Sequence, residues 1–159
     1  MKSNLHKKLQ QKAIAYLANK QYWVRAQEWP TPAGIIDAYG ISNIRNFDTA
    51  AIEVKVSKND YKSRSQKDKE YNAEHLNGLA NYCYILCPDF LMGMWYESPK
   101  WGVLWYSEKT GRLRLMREPT RFDMSDHNKL AVIISLFSSG INNPEKLLQS
   151  GIVDEESHA

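Results

Sequence analysis

The stretch from Gly34 to Tyr61 limits the possible folds of this chain more than any other, because two strand-like segments bearing charged residues follow one another across a turn-rich connection. Successive residues of a strand point to opposite faces. The first segment is therefore expected to place Ile35, Asp37 and Tyr39 on one face, and Ile36 and Ala38 on the other.

The second segment, Ala50 to Val56, also alternates with period two, and its apolar and charged residues fall more clearly on separate faces. Its apolar face consists of Ile52, Val54 and Val56. Glu53 and Lys55 then share the opposite face, which we expect to be open to solvent. The two segments predict a pair of neighbouring strands that brings Asp37 close to Glu53 and Lys55.

Two carboxylates from adjacent strands form an oxygen-rich site suited to a hard cation such as Mg²⁺ or Mn²⁺. Asp37, Glu53 and the backbone carbonyl of Val54 are the candidate ligands, and Lys55 can orient an attacking water or neutralise a phosphodiester. The alternative is structural. In that case Asp37 ends a strand, and Glu53 and Lys55 form the solvated face of an edge strand.

This constellation resembles the active site of the PD-(D/E)XK nuclease superfamily, and the residues after it resemble the small bacterial MmcB-like DNA-repair nuclease group. The second likeness comes from Asp60-Tyr61, the pair Lys67 and Tyr71, and a strand ending at Pro88. The resemblance implies a restriction-endonuclease-like α/β sandwich that cleaves DNA with Mg²⁺. It also implies catalytic roles for Asp37, Glu53 and Lys55.

The sequence departs from the superfamily pattern at three places. Ile36 stands where the motif has its leading proline, and Lys67 stands where related nucleases often have glutamine. No acidic residue precedes Glu28, so the first helix lacks the carboxylate that many members carry there. Glu28 ends the strand predicted over Gln21 to Trp29, and the turn after it leads back towards Asp37. It is therefore a candidate auxiliary metal ligand, or else a plain strand-end glutamate.

A basic segment follows the proposed catalytic strand. From Lys55 to Lys69 there are six Lys or Arg residues against two acidic ones, which suits a phosphate-binding groove. The candidate nucleic-acid contacts are Lys58, Lys62, Arg64, Lys67 and Tyr71. An amphipathic helix with a solvated basic face, and Tyr71 in the core, would have the same pattern.

The remaining segments predict one domain over residues 1–150 and an acidic, disordered tail over 151–159. A first helix capped by Ser3, a buried strand from Tyr82 to Cys87 and a hairpin turn from Glu108 to Gly111 are expected. Arg112, Arg114 and Arg117 of its return strand should face away from Leu113 and Leu115. A helix capped by Ser125 or Asp126 and a short helical piece over Glu145 to Gln149 follow. This order indicates a mixed central β-sheet flanked by helices.

Composition restricts the function classes without selecting one. A net charge of +3 permits a nucleic-acid partner, and two cysteines are too few for a disulfide framework, so we expect Cys83 and Cys87 to be buried thiols. No apolar run resembles a signal peptide or membrane anchor, which favours a cytoplasmic protein. Two other classes stay open: a catalytically silent nucleic-acid-binding domain, and a protein-interaction module using the aromatic residues from Trp95 to Tyr106. The oligomeric state is also open, with a homodimer as one possibility.

Overall fold

The computed structural model describes residues 2–31, 34–61, 78, 80–91, 100–142 and 147–149. Its helices are α1 (Asn4–Asn19), α2 (Lys58–Tyr61) and α3 (Asp126–Asn142). Its strands are β1 (Tyr22–Thr31), β2 (Gly34–Ser42), β3 (Thr49–Val54), β4 (Tyr82–Pro88), β5 (Gly102–Ser107), β6 (Arg112–Arg117) and β7 (Leu147–Gln149).

The strands form one mixed sheet in the order β6-β5-β4-β3-β2-β1-β7. The β3–β4 and β4–β5 pairs are parallel and the others are antiparallel. The predicted α/β fold with a mixed central sheet is thus confirmed. The short helix predicted over Glu145 to Gln149 is wrong, because Leu147–Gln149 pairs with Val24–Ala26 of β1. The open edge of β1 offers this segment backbone partners that outweigh its local helix propensity.

The sheet separates two hydrophobic cores. On one side α1 packs Leu9, Ala13 and Leu17 against strand residues that include Ile52, Val54 and Leu86. On the other side α3 packs Val132 and Leu136 in a core that includes Trp29, Tyr39 and Trp101. Both predicted caps are present: the hydroxyl of Ser3 accepts a hydrogen bond from the N–H of His6 at 3.2 Å, and that of Ser125 accepts one from Asn128 at 3.1 Å.

The start of β3 is fixed by a buried polar cluster around Asp48. Its carboxylate accepts hydrogen bonds from Arg121 Nε and Nη2 at 3.2 and 2.8 Å, and from Lys129 Nζ at 3.3 Å. The next residue, Thr49, donates its N–H to Asn81 Oδ1 at 3.0 Å. These contacts tie the beginning of β3 to Arg121, to α3 and to the residue that precedes β4.

Cys83 and Cys87 are buried free thiols on the α3 side of the sheet, as predicted. Burial raises the pKa of the Cys87 thiol to about 11, so this cysteine stays protonated at neutral pH. Within the described part of the chain, no helix combines the length and the apolar character needed to span a membrane.

Candidate active site

The candidate site lies where the pairing of β2 and β3 ends. The last paired residues at this end are Ala38 and Ile52, so the same register would next bring Asp37 opposite Glu53. Instead, the side chain of Asp37 joins the two strands at this point. Its Oδ2 accepts a hydrogen bond from the N–H of Val54 at 2.9 Å. The predicted approach of Asp37 to the Glu53–Lys55 segment is therefore present in the structure.

Helix α1 surrounds the same carboxylate from the other side. Lys2 Nζ lies 2.9 Å from Asp37 Oδ1, and His6 Nε2 lies 3.3 Å from it. Gln10 donates from Nε2 to the backbone oxygen of Asp37 at 3.0 Å. These three residues are spaced four apart, so they follow one line along α1 and the residues just before it. None of the three was a candidate from sequence, although their spacing was the available signal.

This environment keeps Asp37 ionised. Burial alone would raise the pKa of the carboxyl, but hydrogen bonds from His6, Lys2 and the Val54 N–H outweigh burial and lower the pKa to about 2. The carboxyl side chain is only 8% exposed. Asp37 is therefore a buried carboxylate whose charge is compensated by a lysine, and one of its hydrogen-bond donors is the backbone of the neighbouring strand.

Glu28 joins the site as its sequence position predicts. Its Oε1 lies 3.1 Å from Lys2 Nζ, so Lys2 bridges Glu28 and Asp37. The register of β1 and β2 also places Glu28 and Asp37 opposite each other, between the pairs Gln27–Ala38 and Trp29–Ile36. The backbone of Glu28 has a φ of 51°, a left-handed conformation that non-glycine residues rarely adopt within a strand.

The regular alternation predicted for β2 is wrong at this point. Ile36 packs in the α3-side core and Ala38 in the α1-side core, although both were expected on one face. Asp37 contacts α1, whereas Tyr39, its predicted companion, packs against Trp29 on the α3 side with ring centroids 4.6 Å apart. The break lies directly opposite Glu28, and we attribute it to the left-handed turn of the backbone there.

Glu53 and Lys55 are buried, with 2% and 6% of their surface exposed. Their predicted separation from the face of Ile52, Val54 and Val56 holds, because the latter three contact the α1-side core. The expectation that they lie on an open face is wrong. The alternative of a solvated edge strand is also wrong, because β3 is the central strand of the sheet and both residues are covered.

The other sequence candidates are only partly covered by the structure. Lys58 is exposed at the first position of α2, four residues after the end of β3. Lys62, Arg64, Lys67 and Tyr71 lie outside the described residues, so their roles stay predictions. The carbonyl of Val54 as a metal ligand is likewise still a prediction.

Some features of the site suit a metal ion, and others do not. Carboxylates are the right donors for a hard cation, and the place between Glu28 and Asp37 already stabilises a positive charge, the ammonium of Lys2. His6 Nδ1 is buried and has no hydrogen-bond partner among the described residues. Within those same residues, no group of three or more His, Cys, Asp or Glu side chains is arranged to hold a metal. Ligation by the candidate residues would therefore require Lys2 to move.

Comparison with known proteins supports the fold and gives no information on the chemistry of the site. Neither protein-family models nor curated proteins gave a match. Among solved structures, the chain is similar to SPO1766, a protein of unknown function from Silicibacter pomeroyi, with 12% sequence identity and a TM-score of 0.56. The match covers 91% of this chain and 96% of that protein. At this identity the similarity establishes a shared α/β fold over nearly the whole chain.

Proposed function

We propose that this protein is a metal-dependent nuclease of the PD-(D/E)XK type that hydrolyses phosphodiester bonds in DNA. The observation that carries the proposal is the hydrogen bond between the N–H of Val54 and Asp37, at 2.9 Å. It holds the aspartate beside the end of β3, where Glu53 and Lys55 lie. Asp37, Glu53 and Lys55 are all buried near the end of a central strand, and buried charged side chains have no evident role in packing.

Each residue has a distinct role in this proposal. Asp37, Glu53, the Val54 carbonyl and Glu28 would hold Mg²⁺ or Mn²⁺, which supplies polarisation of the phosphodiester and a lowered pKa of bound water. Asp37 is ionised at neutral pH, and it would become available as an anionic ligand once Lys2 moves away from it. Lys55, two residues after Glu53 and on the same side of the strand, would orient the attacking water and stabilise the developing phosphorane charge. Lys58 and the basic segment after it would contact phosphates.

A second candidate is a nucleic-acid-binding domain of the same fold that does not cut. The observation that favours it is the ammonium of Lys2, which lies between Glu28 and Asp37 where a cation would be needed. In such a protein Lys2 replaces the metal permanently. The protein-interaction alternative has lost part of its basis, because Trp101 and Tyr106 of the proposed aromatic surface are 0% and 2% exposed.

Cleavage assays on labelled duplex, single-stranded and branched DNA, with Mg²⁺ or Mn²⁺, test the proposal. We expect wild-type cleavage that EDTA abolishes and that Lys55→Met reduces by about a hundredfold or more, the scale for losing one electrostatic group. Lys20→Met removes an exposed positive charge from the end of α1 and is the matched control. Because Lys55 is buried, the thermal unfolding and the DNA affinity of each variant are measured together with its cleavage rate. Lys55→Gln provides a second variant. An inactive wild type on every substrate would favour the silent binding domain.

A further inference from the structure

The connection between β2 and β3, residues 43–48, displays two apolar side chains to solvent. Ile44 and Phe47 are 55% and 58% exposed. Phe47 also has a left-handed backbone, with a φ of 60°, which a bulky residue rarely adopts. Local backbone strain and exposed apolar side chains are both features of binding surfaces. The connection is therefore a candidate surface for a partner.

Hydrogen bonds hold this connection in one conformation. The N–H of Ser42 donates to the carbonyl of Asp48 at 2.9 Å, and the N–H of Asp48 donates to the carbonyl of Arg45 at 2.9 Å. Lys129 of α3 donates from Nζ to the carbonyl of Asn46 at 3.4 Å. The apolar side chains of the connection are thus presented in a fixed position, which lowers the entropic cost of binding.

Trp23 adds a third exposed apolar side chain at the same end of the sheet. It is 48% exposed and is the extra residue of a β-bulge, because Tyr22 pairs with Ser42 whereas Val24 pairs with Ile41. Ser42 directly precedes the connection, so Trp23 lies near its start. Residues 20–24 and 42–47 contain two basic residues and no acidic one. The exposed residues that define this end surface are Trp23, Ile44, Arg45 and Phe47.

Strand β7 runs towards this end surface. Leu147 pairs with Ala26 and Gln149 pairs with Val24, so the chain is antiparallel to β1 and its next residue comes towards Trp23. The same register would bring the following residues past the start of β1, to the level of the β2–β3 connection. Two strand spacings, about 10 Å, separate the line of β7 from that of β2, and about three extended residues cover this distance.

The sequence after β7 is complementary to the end surface in both apolar and charged character. Two branched apolar residues, Ile152 and Val153, are followed by three acidic residues at positions 154–156. Residues 150–159 lie outside the described residues, and their composition alone predicted a disordered tail.

In place of that tail, we propose that residues 152–156 bind to the end surface of the same chain. Ile152 and Val153 cover Phe47 and its apolar neighbours, and the acidic residues lie beside Arg45. Binding removes exposed apolar side chains from water, and the opposite charges fix the direction of the segment. This inference goes beyond the proposed function and does not depend on it.

Hydrogen–deuterium exchange of the full chain, in EDTA and without DNA, tests this binding. We expect the amides of residues 152–156 to exchange about tenfold or more slowly than those of a free synthetic peptide of the same sequence. Phe47→Ser should bring the exchange close to the rate of the free peptide, because it removes the largest apolar contact. Phe90→Ser is the control, since it removes a phenylalanine that is 59% exposed after the end of β4, at the opposite end of the sheet.

An exchange of charges tests the polar part of the contact. Arg45→Glu should accelerate exchange at residues 152–156, and Asp154→Lys/Glu155→Lys in the same chain should slow it again. Arg45 and Phe47 are exposed, so their replacement should not affect folding, which circular dichroism checks.

Several results would overturn the inference. These are wild-type exchange at the rate of the free peptide, no acceleration by Phe47→Ser, equal acceleration by Phe90→Ser, and no rescue of Arg45→Glu by the lysines. Protection that falls on dilution would mean that the segment binds a second copy, and it would overturn binding within one chain.

Discussion

The ammonium of Lys2 lies 2.9 Å from Oδ1 of Asp37 and 3.1 Å from Oε1 of Glu28, so a single positive charge bridges carboxylates from two neighbouring strands. Two carboxylates this close would otherwise repel each other, and one of them would take up a proton. Lys2 thus offsets one of the two negative charges at the place where a divalent metal ion would offset both. Under the proposed function, Lys2 and a divalent cation compete for the same oxygens.

Replacing Lys2 by methionine should strengthen binding of Mg²⁺ and Mn²⁺, because the competing ammonium is removed. We expect a gain of about tenfold in affinity, or about 1.4 kcal/mol, measured by isothermal titration calorimetry. Lys7→Met removes an equal charge from an exposed position of α1 and should leave the affinity unchanged. Weaker metal binding by Lys2→Met would contradict competition, and no binding by either protein would favour the silent domain.

The low pKa of Asp37 predicts how stability depends on pH. The pKa falls from an ordinary 3.8 to about 2 on folding, so the ionised carboxylate stabilises the protein above about pH 4, and this contribution is lost as pH falls towards 2. It amounts to about 2 kcal/mol. Chemical unfolding at pH 7 and near pH 2.5 should show that Asp37→Asn is less stable than wild type at the higher pH, with a much smaller difference at the lower one.

The control for this experiment is Asp123→Asn, which removes a carboxylate that is 91% exposed. A stability gap between wild type and Asp37→Asn that stays constant across the range would contradict the assigned ionisation of Asp37. All measurements are made in EDTA, so that metal binding does not contribute.

The cluster around Asp48 predicts a large effect far from the candidate site. Arg121→Gln removes two hydrogen bonds to a carboxylate whose side chain is only 9% exposed, leaving it with Lys129. Loss of charged hydrogen bonds to a buried acid costs about 1–3 kcal/mol, which urea unfolding can measure. Asp123→Ala removes only the exposed partner of the same arginine and should cost less than about 0.5 kcal/mol. Equal effects of the two variants would mean that Asp48 is not held by Arg121.

The sequence was informative where the pattern was regular and local. The alternation of Ile52, Val54 and Val56 correctly separated Glu53 and Lys55 from the α1 side, and the caps of α1 and α3 were identified from Ser3 and Ser125. It failed at Asp37, because strand periodicity assumes a regular backbone and Glu28 opposite departs from one. The burial of Glu53 and Lys55 depends on tertiary packing, which a single-strand pattern does not contain.

The contribution of α1 was missed for a different reason. Its apolar stripe was identified, but the polar line of Lys2, His6 and Gln10 reaches Asp37 only through the packing of α1 on the sheet. No pairwise pattern in the sequence connects residues so far apart in the chain. The strand Leu147–Gln149 was missed in the same way, because its pairing partner in β1 lies more than 120 residues earlier.

Under the proposed function, the left-handed backbone of Glu28 predicts that stability and activity have opposite requirements at this position. Non-glycine residues in this conformation cost about 1–3 kcal/mol, and glycine adopts it freely. Glu28→Gly should therefore raise the free energy of unfolding by about 1 kcal/mol, although it removes a partly exposed ion pair with Lys2. Gln27→Gly, one residue earlier at an ordinary strand position, should lower it and is the control.

Directed evolution for heat resistance would expose this conflict. Glycine variants at position 28 would be enriched by a screen that scores survival of the fold alone, and they would lose the carboxylate that Lys2 joins to Asp37. Under the proposed function, a screen that also scores DNA cleavage would retain glutamate at position 28 and select stabilising changes at other positions. The residue found at position 28 would thus show whether the population had been selected for stability alone or for stability together with cleavage.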